Sequence, residues 1–500
     1  MAKKEHLYDL IQTLTPSEKR HFRSSFNKKD KEPDHLKLFD LMASMKSFDA
    51  DRISKKFPKH TPNRLAQLKS HTSELLLKFL LQSEELKQPE DKVRHLFALV
   101  KIHRDRGLLE RSIQLMDRAI VFCRKMCDDM LLLESLKLWR QLIGRWRTVT
   151  TPERIEATMQ EMVDVGARVH LMMKVRLLHT SFHQRIVHTG SIERDQQAWL
   201  NAELATDWFR EALESANPRL QVMANSILGQ RDTFLVDYDG AYRHWSKAHE
   251  VSREIAVESE VDENNRISCL SNRNNAAIRG RFFHLMPELL AETSEIKCQS
   301  RSADLKHFES YLNVRMHFVN MTGQSLGEED IEEIEREIST NRLTPAFRLS
   351  ITLQMGVYWL IHDRSDLAAK RLETFLNDQD AGQLKQHATF ATLVRLLLHY
   401  QDGEIDLLES VLRARERYLK MHPSRFGFED LTIDLLKQVL KSPRNEHQKH
   451  LKNYQDKLDA IRSDEIYDLY FDFSSWAIAM QKKCSMEEVL QERTAPLIKA

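Results

Sequence analysis

Apolar residues recur along this chain at three- and four-residue intervals, the spacing that gathers side chains on one face of a helix. Leu7, Leu10 and Ile11 open the pattern over residues 4–13. Phe22 and Phe26 stand one turn apart in a helix expected from Pro16, and Leu36, Phe39, Met42 and Met45 mark a third over roughly 34–47. The stretch DADRISKKFPKHTPNRLAQLKSHTSELLLKFLLQ predicts a short helix, a turn at Pro58 and a long helix from Pro62 to about Leu86. Leu65, Leu68, Leu75, Leu76, Phe79 and Leu80 form the apolar stripe of that long helix. Thr-Pro is the recurrent start signal, at Thr15-Pro16, Thr61-Pro62, Thr151-Pro152 and Thr344-Pro345. Thr accepts from the free amides of a helix start, and Pro fits the first helical position, where no N–H is needed. Glu18, three residues after Thr15, completes a capping box.

From about residue 92 apolar helices alternate with short polar breaks. LFALVKIHRDRGLLERSIQLMDRAI places Leu96, Leu99, Gly107, Ser112, Met116 and Ala119 in a helical hairpin. NSILGQRDTFLVDYDGAYRHWSKAHEV has Leu228-Gly229 followed by Ala241, Trp245 and Ala248, a small-large-small second helix. TLQMGVYWLIHDRSDLAAKRLETFL repeats the theme with Gly356, Ala368, Leu372 and Phe375, and LLLHYQDGEIDLLESVLRA does so with Leu407, Val411 and Ala414. Small residues let two antiparallel helices approach, and the bulky one fills the groove of the next hairpin. These segments resemble the tetratricopeptide repeat over residues 92–420. Breaks near 107, 150, 190, 237, 280, 325, 363 and 402 lie roughly 38–46 residues apart, longer than the 34-residue period of that family. The resemblance implies a degenerate array of stacked helix pairs, an α-solenoid with a concave face; globular all-helical packing is the alternative. The opening LTPSEKRHF is also similar to the start of uncharacterised bacterial helical-repeat proteins, a likeness that implies no activity.

KQPED at 87–91 reads as a boundary. The expected organisation is a basic helical N-terminal domain over 1–90, a tetratricopeptide-like array over 91–425 and a C-terminal helical cap over 426–500. In the last part Ile466, Leu469, Phe473, Trp476 and Met480 share one helical stripe, suited to covering the final apolar face of an array.

Composition supports an all-α fold. Only 13 Gly and 12 Pro occur in 500 residues, and no Gly precedes Gly107, whereas hairpin turns and phosphate loops need Gly. The formal net charge is +1, so no whole-molecule field drives the chain onto nucleic acid or membrane. Residues 1–88 nevertheless hold 18 Lys/Arg against 12 Asp/Glu. Five scattered Cys are not a disulfide framework, the first twelve residues lack the apolar core of a secretory signal, and ELLLKFLLQ is too short to span a membrane. These features lead to the expectation of a cytoplasmic protein without membrane contact.

Candidate chemistry is sparse. No phosphate loop, dinucleotide fingerprint, HExxH or GxSxG occurs. His179 and His183 are one helical turn apart, as are Cys123 and Cys127, but neither pair has the further ligands that zinc requires, and no metal or cofactor is expected. Asp128-Asp129 reads as a turn charge pair. Trp139, Arg140, Arg145, Trp146 and Arg147, with Arg154, interleave cations with indoles, a set able to hold a carboxylate-bearing peptide or to stack on bases. Two core tryptophans between solvated arginines explain the same pattern. ISKKFPKHTPNRLAQLKS has the outline of a helix-turn-helix. Asn63, Arg64, Gln67 and Lys69 would then face base edges or phosphates, with Lys19, Arg20, Arg23, Lys28, Lys29, Lys55 and Lys56 as further phosphate contacts. The turn lacks Gly and the second helix is long for a recognition helix. The expectation is therefore a non-enzymatic adaptor whose concave face binds a peptide or protein partner. The alternative is a nucleic-acid-binding regulator with a partner-sensing array, and an enzyme with a site assembled across the array is a third class.

Overall fold

The structure, a computed structural model, describes residues 6–26, 33–45, 47–84, 88–145, 150–187, 194–340, 342–381, 384–422, 427–461 and 470–499. Among the described residues the regular structure is helical, without a strand. The chain divides into two compact units, residues 1–120 with 141–149 and residues 121–140 with 150–500.

The first unit begins with α1 (His6–Thr13), α2 (Pro16–Ser24), α3 (Asp34–Ala43), α4 (Ala50–Lys56) and α5 (Pro62–Glu84). Thr15 accepts from the Glu18 amide at 3.2 Å while the Glu18 carboxylate accepts from the Thr15 amide at 2.7 Å, the reciprocal cap expected of that start. Ile11, Phe22, Leu38, Phe39, Met42 and Leu76 have no exposed surface. Phe22 holds the centre, its ring 4.7 Å from Phe39 and 5.4 Å from Phe79. α6 (Pro89–Asp105) follows, then α7 (Leu109–Lys125) and α8 (Asp129–Arg145), which pass from one unit to the other.

The second unit continues with α9 (Pro152–Phe182), a π-helical turn at His183–Val187, α10 (Arg194–Leu204) and α11 (Asp207–Leu213). Then come α12 (Pro218–Phe234) and α13 (Tyr238–Ser252), α14 (Glu260–Arg279) and α15 (Met286–Ser294), α16 (Arg301–Thr322) and α17 (Glu328–Ser339), and α18 (Pro345–Ile361) and α19 (Ser365–Leu376). The chain ends with α20 (Lys385–Gln401) and α21 (Ile405–Met421), α22 (Gly427–Lys441) and α23 (His447–Ile461), and α24 (Phe473–Lys482) and α25 (Met486–Lys499). The leading helix of each pair starts at 218, 260, 301, 345, 385, 427 and 473, steps of 40–46 residues.

The turns within five of these seven pairs share one device. Val236, Arg281, Asp363, Gly403 and Lys483 each adopt a left-handed backbone. The amide of the next residue bonds the carbonyl five positions back, as in Asp237 to Asp232 (2.9 Å), Phe282 to Ala277 (2.9 Å), Arg364 to Trp359 (2.8 Å) and Glu404 to His399 (2.9 Å). This satisfies the last carbonyls of the first helix and turns the chain into the second. Gly107 and Cys127 do the same after α6 and α7.

Close approach depends on small residues. A Cβ placed on Gly229 of α12 would lie 2.7 Å from the Trp245 ring on α13, and Ala241 and Ala248 beside that ring have no exposure. Gly356 of α18 faces Leu372 of α19 in the same way, at 3.2 Å. Thr61 and Thr151 cap their helices by accepting from Arg64 and Arg154 amides, both at 3.4 Å. Thr344 does not: its amide and hydroxyl donate instead to the Glu309 carboxylate at 2.6 and 3.1 Å.

At the C-terminus, α24 starts only at Phe473, capped by Asp472, so the described stripe is Phe473, Trp476 and Met480; Ile466 and Leu469 lie outside the described residues. Phe473 and Trp476 join Phe390 and Phe428 in the largest core. α25 then returns to earlier helices. The Glu487 carboxylate is 2.9 Å from His362 Nδ1, and Gln491 donates to the Gly323 carbonyl at 2.8 Å. Leu497 and Ile498 pack with Phe283, Val314 and Phe318. Burial works to raise the Asp472 carboxyl, but Arg493, Arg281 and the Ser475 hydrogen bonds outweigh it and hold it below the usual range. Among the described residues no helix is long and apolar enough to cross a membrane.

Candidate functional site

α9, α12, α13 and α14 enclose a cleft of about 500 Å³ in the second unit. Three helices each contribute one face. Met172, Arg176, His179 and His183 follow one another by four, three and four residues along α9 and into the π-helical turn, so they share a stripe. Arg219, Val222, Met223, Ser226 and Gln230 do the same on α12, and Val261, Asn265, Ser268 and Asn272 on α14. Trp245 and Ile255 close the floor, and Trp245 is only 4% exposed.

The cleft is cationic. Three guanidinium groups line it against one carboxylate, Asp262. Asp262 is taken by Arg219, at 2.5 Å, and Arg219 also donates from Nε to the Met126 carbonyl at 2.8 Å. Arg266 donates to the carbonyls of Ser252 (3.3 Å), Arg253 (3.4 Å) and Ile255 (3.0 Å), the end of α13, where a positive charge suits the helix dipole. Those acceptors are neutral, the buried Nε has no hydrogen-bond partner among the described residues, and Asp262 and Glu263 favour the charge only through space, against the larger cost of burial. Arg176 is exposed at the rim and forms no ion pair among the described residues. Behind the α14 wall Lys306 donates to the Asn264 carbonyl (3.0 Å) and the Ser268 hydroxyl (2.5 Å), and burial lowers its ammonium pKa.

The two imidazoles stand with ring centroids 4.4 Å apart. Burial, then the neighbouring His183, pulls the His179 pKa below its ordinary value, so His179 is neutral at pH 7. Among the described residues no group of three His, Cys, Asp or Glu could hold a metal ion. Cys269 is buried in the wall; burial raises its thiol to about 11, against the opposing Ser226 hydrogen bond and Lys306 charge, so it is not a nucleophile at neutral pH. The cleft can therefore bind an anionic, partly apolar group, and among the described residues no hydrogen-bonded pair of nucleophile and base lines it.

The expected contact residues fall elsewhere. Trp139 is buried at 1% exposure, with the Arg154 guanidinium 5.1 Å from its ring, while Arg140 is exposed. The Arg145 side chain, Trp146 and Arg147 lie outside the described residues. Cys123 is buried beside Ser135 at 3.5 Å, and burial raises its thiol to about 11. Asp128 caps α8 through the Leu131 amide at 3.0 Å, and the buried Asp129 pairs with Arg168 at 2.9 Å and accepts from Asn217 at 2.6 Å.

In the first unit Asn63, Arg64 and Gln67 are exposed on the opening turns of α5. Lys69 is half-buried, its ammonium 5.2 Å from the Phe48 ring. On α2 Arg20 is exposed, Lys19 is half-buried and Arg23 pairs with Asp40 at 3.1 Å. Lys55 and Lys56 are exposed on α4, and Lys28 and Lys29 lie outside the described residues. Phe22 anchors α2 against Phe79, which lies about 22 Å along α5 from Arg64 at 1.5 Å per residue. The basic residues of α2 and the opening of α5 are thus tied to opposite ends of one helix.

Sequence reasoning missed Arg176, Arg219, Arg266 and Lys306. The available signal was the stripe Met172, Arg176, His179 and His183, of which only the two His stood out. Comparison with protein-family models, with curated proteins and with solved structures returns no match.

Proposed function

We propose that the chain is a non-enzymatic, cytoplasmic interaction protein, in which hairpins from α12/α13 onward stack as a degenerate, tetratricopeptide-like solenoid and a peptide or protein segment binds in the cleft of α9, α12 and α14. The cleft carries this reading. Two successive leading helices, α12 and α14, line it together with α9, with Trp245 of α13 at its floor, and its size suits a few side chains. The 40–46-residue step between leading helices and the repeated left-handed turn support the stacked arrangement. Affinity would come from a few anchors and not from total area.

Asn265 is exposed at the cleft and forms no side-chain hydrogen bond among the described residues, so Asn265→Trp fills the space without removing a structural contact. When the full chain is panned on an immobilised octapeptide array, the wild type should retain a peptide subset that the Asn265→Trp variant loses. Equal retention by both proteins would sink the reading. One observation favours the nucleic-acid alternative, the exposure of Asn63, Arg64 and Gln67 at the start of α5. Retardation of duplex DNA by the full chain at low ionic strength, lost in Arg64→Ala, would support it.

A further inference from the structure

We infer that the cleft recognises an acidic peptide segment, whose carboxylate meets Arg176 and the His179–His183 pair while an adjacent apolar side chain enters beside Met172 and Met223. This rests on the peptide-binding reading above and names the class of peptide.

Charge decides the class. The one lining carboxylate, Asp262, is consumed by Arg219. Arg266 hydrogen-bonds carbonyl oxygens and Lys306 a carbonyl and a hydroxyl, so among the described residues neither is in direct contact with a carboxylate, and at Arg266 burial outweighs the pull of Asp262 and Glu263. Arg176, at the rim and on the same stripe as the imidazoles, forms no ion pair among the described residues. A neutral segment entering the cleft would desolvate these cations without compensation, and a basic one would add repulsion. A carboxylate supplies the missing partner and fits the fork of a guanidinium. An anion within reach of His179 would also favour its protonated form, in which both ring nitrogens donate.

Peptide is favoured over nucleic acid by the remaining lining. Met172, Val222, Met223 and Ile255 give an apolar floor, and Gln230, Asn265 and Asn272 offer amides that can both donate to and accept from a peptide backbone. Single-stranded nucleic acid uses exposed aromatic faces for stacking, and the one aromatic residue of the lining other than His, Trp245, is 4% exposed.

The test pans the full chain on the octapeptide array and then titrates the best binder calorimetrically. Retained peptides should be enriched in Asp or Glu next to Leu, Met or Phe. Arg176→Gln should weaken the best binder several-fold and Arg176→Glu by about tenfold or more, with unchanged circular dichroism. Replacing the acidic residue of the peptide by Lys should abolish wild-type binding and restore binding to Arg176→Glu. Retained peptides without acidic enrichment, or affinity indifferent to Arg176→Glu, overturn the inference while the peptide reading stands. No retained peptide, or retention indifferent to Asn265→Trp, overturns both. Binding of a single-stranded oligonucleotide in place of peptides, sensitive to Arg176→Glu, overturns it in favour of nucleic acid.

Discussion

Lys483 shows what the hairpin turns ask of individual residues. It follows α24 with φ of 57°, a conformation in which its Cβ crowds the following carbonyl, and its side chain is exposed. The left-handed region costs an L-residue about 1–2 kcal/mol, whereas Gly adopts it freely and loses roughly 0.5–1 kcal/mol in unfolded-state entropy. Lys483→Gly should therefore stabilise the α24/α25 pair by a fraction of a kcal/mol to about 1 kcal/mol. Lys482→Gly, one residue earlier and still helical, should destabilise it by about 1 kcal/mol. Native-state hydrogen exchange of the 473–482 amides reads both, slower in the first variant and faster in the second. The same sign for both would show that backbone handedness does not set the cost at this turn.

The helix pair is the unit in which small residues matter. Gly229 and Gly166 both lie inside helices, where Gly is about 1 kcal/mol less favourable than Ala. A Cβ on Gly166 meets nothing within 4 Å, while one on Gly229 would meet the Trp245 ring at 2.7 Å. Gly166→Ala should raise the thermal midpoint. Gly229→Ala should lower it, since prising apart α12 and α13 costs roughly 1–3 kcal/mol and outweighs the propensity gain. A rise in both would mean that the pair tolerates a wider spacing. At this scale the sequence was readable: breaks expected near 237, 280, 325, 363 and 402 coincide with left-handed turns at Val236, Arg281, Gly323, Asp363 and Gly403. Apolar periodicity stops wherever a helix does, so it locates turns even where no Gly marks them. The cleft was not readable, because its side chains come from three helices and each contributes only a short stripe. The faces of single residues were hidden for a related reason: Trp139 and Arg154 look alike as surface or core until α8 and α9 are docked.

At the scale of the second unit, the return of α25 departs from what an array with a simple end cap would show. In such an array each pair touches only its neighbours, so loss of the last helix should be felt by the helix before it. Here Gln491 reaches the carbonyl of Gly323 across 168 residues, Glu487 meets His362, and a Cβ on Gly323 would lie 2.9 Å from the Glu487 carbonyl, a contact only Gly permits. Leu497 and Ile498 complete the core around Phe283 and Phe318. Deleting residues 486–499 removes these contacts together with the buried Met486, Val489 and Leu490, each worth about 1.5–3 kcal/mol when fully buried. It also removes Arg493, leaving the largely buried Asp472 carboxylate with Arg281, at 3.9 Å, as its remaining ion-pair partner among the described residues. Hydrogen exchange of the truncated chain should therefore accelerate at three distant places: the turn at 283–285, the end of α16 at 316–323 and the end of α18 at 358–362. The amides of α12, whose buried side chains join other cores, should keep their protection. Acceleration confined to 473–485 would show that α25 acts only as a local end cap, and general loss of protection would show that the second unit folds as one indivisible body.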